Sequence, residues 1–268
     1  MPALILVHLI TTKMESNLFE LNYKQLLMRC LLNGKLEPNR TGVSAYKIFN
    51  QSLVIDLDLG FPIVTAKKIN FNYGLHEFLW MYKGKTDIAY LNSKGINWWD
   101  SYAIEGELGK VYGYQMRNFG GKFDQVEYVI KEIRNNSRRA IITLWNPLDL
   151  EEQALPCCYT SFNFTREGTS LNMAMNFRSS DMFLGLPYDI IVGALLLHEV
   201  AKETNTKPSK LFINIIDAHI YENHKEQVIK YNNSPCYTLP NLVNDQSENK
   251  YKIQGYNSGK FIKAKLNN

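Results

Sequence analysis

With 268 residues, 45% of them hydrophobic and 12% aromatic, the chain holds enough apolar material for a substantial core, which excludes a disordered protein. Its 30 basic and 26 acidic residues leave a formal charge of +4, too mild for a nucleic-acid signature and compatible with a small anionic substrate. Four cysteines (Cys30, Cys157, Cys158, Cys236), two of them adjacent, make a poor disulfide framework and fit a reducing cytoplasm. No CxxC pair or close His/Cys cluster points to zinc.

In chain order, ALILVHLI (3–10) is too short to span a bilayer and lacks the flanks of a signal peptide. Residues 1–18 are set apart as an N-terminal extension, and 19–268 read as one domain, since no repeat or linker divides them. NRTG (39–42) is turn-like. YGLHEFLWMYKG (73–84) predicts a helix with Leu75, Phe78, Leu79 and Tyr82 on one side and Gly84 as its stop. FDQVEYVIKEIR (123–134) carries Val126, Val129, Ile130 and Ile133 at helical steps. AIITLW (140–145) and LFINII (211–216) read as short buried strands. LNMAMNF (171–177) alternates apolar and polar residues, a half-buried strand. IIVGALLLHEVAKE (190–203) is apolar around most of its circumference and predicts a central helix. The mixture gives an α/β or α+β domain. No GxGxxG follows a strand, which disfavours a dinucleotide fold.

Several polar groups sit where packing alone explains them poorly. Arg178 and Ser179 end a period-2 strand, Arg138 and Arg139 are adjacent before an apolar strand, and Arg40 lies in a turn. Guanidinium groups match phosphate oxygens bidentately, so together these resemble a phosphate clamp that would also favour a thiolate nearby. Glu77 stands in an apolar, aromatic helix, either as a solvent-facing carboxylate or as a buried acid available for proton transfer. His219 and Tyr221 follow a buried strand. Of LPCCY (155–159), local pattern alone favours two inert buried thiols.

NRTGV (39–43), GFPIVTAKK (60–68), HEFLW (76–80), VYGYQMR (111–117), LWNP (144–147), LPCCY (155–159), FRSSDMFLGLPYDI (177–190) and DAHIYENH (217–224) fall in the order of the thymidylate synthase superfamily, which the chain resembles from about Tyr23 onward. The resemblance implies a three-layer α/β fold whose large mixed sheet lies at the interface of a homodimer. It implies a pyrimidine nucleoside monophosphate as substrate and 5,10-methylenetetrahydrofolate as cofactor, with neither membrane nor nucleic acid as main partner. By position, Cys158 resembles the nucleophile, Glu77 the general acid/base and Tyr112 the tyrosine near the reacting carbon. Arg40, Arg178 and Ser179 resemble phosphate ligands, joined by Arg138 and Arg139 from the partner subunit. His219 and Tyr221 resemble the pair on the sugar hydroxyl. Asp181, Trp99, Leu184, Gly185 and Tyr188 match folate-binding positions.

Two departures bear on the substrate. Asp189 stands where synthases have asparagine, and an ionised carboxylate has no donor for the 4-oxo group of uracil, whereas cytosine offers a 4-amino donor. Tyr159 replaces the histidine that follows the nucleophile. Both changes resemble the deoxycytidylate hydroxymethylases of the same superfamily. The polar ending KLNN (265–268), and Tyr102 in place of a tryptophan, suggest a wetter pocket. The expected activity is hydroxymethylation of deoxycytidylate. Alternatives are methylation of deoxyuridylate, methylation of deoxycytidylate, a ribose substrate (cytidylate) and, in a different class, an RNA-binding regulator.

Overall fold

In the computed structural model the chain is described over residues 17–245 and 250–267, so most of the expected N-terminal extension and the final Asn268 lie outside the described residues. Helix α1 (Leu18–Asn33) starts where the Asn17 side chain accepts the Glu20 N–H. Glu20 itself is buried and accepts from the Thr65 and Ala66 N–H groups and from the Tyr231 hydroxyl. One carboxylate thus ties the first helix to the 65–66 loop and to α7 (Lys225–Asn233). A buried carboxylate is tolerable only when several donors satisfy it, as here.

The main sheet has six strands in the order β1-β2-β6-β5-β4-β3. They are β1 (Lys35–Glu37), β2 (Ala45–Asp56), β3 (Ile141–Thr143), β4 (Tyr159–Glu167), β5 (Ser170–Asp181) and β6 (Lys207–Tyr221). All pairs are antiparallel except β5–β6, which is parallel and joined by helix α6 (Leu186–Glu203). This is the mixed α/β architecture the sequence implied. Leu171, Met173, Met175 and Phe177 face the core, as their alternation predicts. LFINII departs from expectation. Leu211, Ile213 and Ile215 are buried, but Phe212 and Ile216 are 37% and 42% exposed, because the helices cover only one face of the sheet. AIITLW also yields less strand than expected: only Ile141–Thr143 pairs, at the sheet edge, with Ile141 exposed.

Strand register shifts at Thr160 between β4 and β5 and, further along β5, between Leu171 and Met173 beside β6, while β2 and β6 keep one register throughout. Asn50 adopts φ 49°, a left-handed conformation asparagine tolerates better than most residues. Register shifts bend strands and re-aim side chains. Towards the C-terminal ends of β5 and β6, Arg178–Asp181, Asp217, His219 and Tyr221 share the wall of one cavity.

Between β2 and β3 lie α2 (Phe71–Tyr82), α3 (Ala89–Ser93), α4 (Tyr112–Arg117) and α5 (Gln125–Arg134). Gly84, at φ 71°, donates to the Met81 carbonyl just beyond α2, the stop the sequence suggested. Helices α2 and α6 cross closely at Gly74, where an added Cβ would fall 2.7 Å from Ile191 Cγ2. That approach places Glu77 of α2 and Asp189 of α6 near one another. A small pair, β7 (Asn241–Asn244) with β8 (Tyr251–Gln254), completes the described chain.

Candidate active site

Cys158 precedes β4 and opens into a cavity of about 510 Å³. Its neighbour Cys157 points into the core, and burial pushes that thiol up to about 12, leaving it inert at neutral pH. Cys158 is held differently. Its N–H donates to the Tyr112 hydroxyl at 2.9 Å, and Arg178 donates to the Cys157 and Pro156 carbonyls at 3.0 and 2.8 Å. The same guanidinium lies 3.8 Å from Cys158 Sγ. Burial raises the thiol's pKa, the Arg178 charge opposes that, and Asp189 adds to the rise. Burial outweighs the Arg178 and Arg40 charges, so the thiol stays above its ordinary value.

Glu77 is buried, and the solvent-facing alternative is excluded. Desolvation raises its pKa, while indole hydrogen bonds from Trp99 at 2.8 Å and Trp98 at 3.2 Å favour the carboxylate. Asp189 is half-buried, and an added Cβ on Gly185, which lines the cavity, would stand 3.8 Å from its Oδ2. Desolvation, then the charges of Glu77 and Asp181, push this carboxyl well above the usual carboxylate range. The Tyr159 hydroxyl points to Met81 Sδ at 3.1 Å, and its ring packs against Tyr112, with centroids 4.5 Å apart. This position therefore gives the cavity an aromatic backing and no polar side chain.

Arg40, Arg178, Ser179, His219 and Tyr221 line the same cavity as Cys158, with Ser179 Oγ 3.4 Å from His219 Nδ1. Asp217 accepts from His219 Nδ1 at 3.1 Å and from Lys47 Nζ at 2.8 Å. Burial alone would raise the Asp217 carboxyl, but these two partners together hold it below its usual value. Sequence reasoning missed Lys47 and Asp217 as site residues. Asp217 stood in a quoted motif without a role, and Lys47 reaches it only through the β2–β6 register, which pairs Lys47 with His219. Arg138 and Arg139 are exposed and lie outside this cavity. Asp181 accepts from the Phe183 and Leu184 N–H groups through Oδ1. Trp99 packs edge-on against Tyr102 and Tyr112, and Tyr188 packs on Trp98. From the tail, Leu266 and Asn267 reach the cavity, and the Asn267 and Asn223 side-chain amides bond each other reciprocally.

The thymidylate synthase family model matches residues 21–267. A thymidylate synthase of Mycoplasma genitalium is 36% identical over 283 aligned positions, covering 91% of this chain and 98% of that protein. The chain belongs to the thymidylate synthase family. Members transfer a one-carbon unit from 5,10-methylenetetrahydrofolate to carbon 5 of a pyrimidine nucleotide, and this chain is accordingly a transferase of nucleotide biosynthesis. The cavity lining holds the Cys158 thiol and the Arg40 and Arg178 guanidinium groups, while Glu77 and Asp189 are not among its lining residues. No described helix is long and apolar enough to cross a membrane.

Proposed function

We propose that the protein is a folate-dependent deoxycytidylate hydroxymethylase. The observation that carries the reading is Asp189, a carboxyl group in place of an amide, close enough to the nucleophile to influence its ionisation. Arg40, Arg178 and Ser179 take the nucleotide phosphate, and His219 and Tyr221 take the sugar hydroxyl. Cys158 adds to carbon 6, which makes carbon 5 enamine-like. Covalent addition thereby divides one difficult step into easier ones. Glu77 moves protons at the base.

The residues beside the cavity fit the cofactor. Asp181 spends one oxygen on the backbone and has the other available for the donor-rich edge of a pterin, while Trp99, Leu184, Gly185 and Tyr188 offer flat and apolar surfaces around it. When bound, methylenetetrahydrofolate supplies the one-carbon unit. Completion by water is the hydroxymethylase outcome: hydroxide adds to the exocyclic methylene carbon of the nucleotide, Cys158 leaves carbon 6 as the thiolate, and Glu77 takes the remaining proton. The tail brings the polar Asn267 to the cavity beside Leu266, which supports water capture.

The electrostatics refine the argument from the sequence. A carboxyl pushed towards its neutral form carries both a donor and an acceptor, so it can pair with either cytosine or uracil. Cytosine retains the advantage because its ring nitrogen shares that proton far better than a carbonyl oxygen does. The same neutral form, together with the thymidylate synthase relative, favours methylation of deoxyuridylate as the second reading. Competition between deoxycytidylate and deoxyuridylate across pH tests the choice. The preference for deoxycytidylate should fall as pH rises and the shared carboxyl proton is lost; a preference for deoxyuridylate at every pH would establish the second reading.

We also propose a homodimer in which Arg138 and Arg139 complete the partner's phosphate site. Their exposure outside the chain's own cavity supports this, as do the exposed Phe49, Val54, Phe212 and Ile216 on the sheet strands.

A further inference from the structure

Trp98 has no role in the reading above, yet it is bonded to the group that would move protons. Its indole N–H and that of Trp99 both donate to one oxygen of Glu77, Oε1, at 3.2 and 2.8 Å. Two donors on one oxygen fix the carboxyl plane and leave Oε2 without an indole partner. Trp98 is itself held from two sides. It meets Tyr73 edge-on with centroids 5.7 Å apart, and Tyr188 at 5.4 Å. Tyr73 lies one turn before Glu77 on α2, and Tyr188 precedes Asp189 on α6. The half-buried Trp98 therefore links the two helices that present the carboxyl groups.

We propose that Trp98 is a positioning residue for Glu77: with Trp99 it clamps Oε1, so that Oε2 is the oxygen that exchanges protons during one-carbon transfer. This rests on the proposed role of Glu77, and it assigns that role to one oxygen and one additional side chain. Asp189 faces Glu77 from α6, and the Tyr159 and Tyr188 hydroxyls are the other titratable groups coupled to it. None of these supplies a hydrogen bond to Oε1 in place of an indole.

Trp98→Phe retains a ring for Tyr73 and Tyr188 and removes only the N–H. Nucleotide affinity should stay within about twofold of wild type, because the clamp acts on proton transfer and not on binding. The turnover number should fall by roughly tenfold, the loss expected for one hydrogen bond to a charged group. Removing a donor that favours the carboxylate should move the acid limb of the kcat profile to higher pH. Unchanged kcat and an unchanged limb would overturn the proposal. So would a loss confined to nucleotide affinity, which marks a merely structural role. A second measurement needs neither activity nor the Trp98 variant. In protein labelled with ¹⁵N at its four tryptophans, two indole N–H signals should shift together on Glu77→Gln and move together in a pH titration of the wild type. A shift in only one of them would show that Trp98 is not bonded to Glu77, whatever substrate the enzyme uses.

Discussion

At Cys158 the chain places a thiol among groups that pull its ionisation both ways, and the neighbouring Cys157 provides an internal control. Cys158→Ser should abolish turnover, whereas Cys157→Ser should leave the rate within a fewfold of wild type; a radiolabelled-product assay distinguishes them, and the reverse pattern would reassign the nucleophile. Asp189→Asn should move base preference towards deoxyuridylate by roughly ten- to a hundredfold, the scale of one mispaired buried polar group. Equal preference in wild type and variant would show that this carboxyl does not read the base. The proposed roles of Cys158, Arg178 and Asp189 rest on contiguous motifs, which a sequence displays directly. Lys47, Asp217 and Trp98 were not legible there, since each acts through a partner that only strand register or helix crossing brings near. The depth of Glu77 was also hidden, because helical spacing does not say which neighbours close over a side chain.

Among the elements, the crossing of α2 and α6 bears most on the chemistry. Gly74 allows it, since any side chain there meets Ile191. Gly74→Ala should cost about 1–3 kcal/mol through overpacking, read as a fall in Tm, and should reduce kcat more than nucleotide affinity by separating Glu77 from Asp189. An unchanged Tm would mean that the helices shift without cost. Whereas α1, α3, α4 and α7 were not read, helices α2, α5 and α6 were legible from periodicity, down to the Gly84 stop. The strands were less so: LFINII reads as an apolar run, but one face of its sheet stays open, and a run of β-branched residues cannot report which faces are covered. The register shift at Thr160 had no signal in the sequence, and the positive φ of Asn50 had none beyond the ability of asparagine to adopt it.

For the molecule as a whole, the proposed dimer would bring the exposed Arg138 and Arg139, which lie outside their own chain's cavity, to the partner's proposed phosphate site. Mixing Cys158→Ser chains with Arg139→Ala chains should restore part of the activity that each lacks, because one of the two sites in the mixed dimer regains both groups; no recovery after subunit exchange would place Arg139 in its own chain's site. The family, its fold and its folate chemistry were legible along nearly the whole chain. The proposed base rests on Asp189, whose proton depends on the burial and the neighbouring carboxyl groups that folding supplies. The most direct test incubates the protein with methylenetetrahydrofolate and, separately, deoxycytidylate and deoxyuridylate, and weighs the nucleotide products. The account predicts deoxycytidylate turned over in preference and made heavier by CH₂O. Turnover of deoxyuridylate alone, with a gain of CH₂, would contradict it.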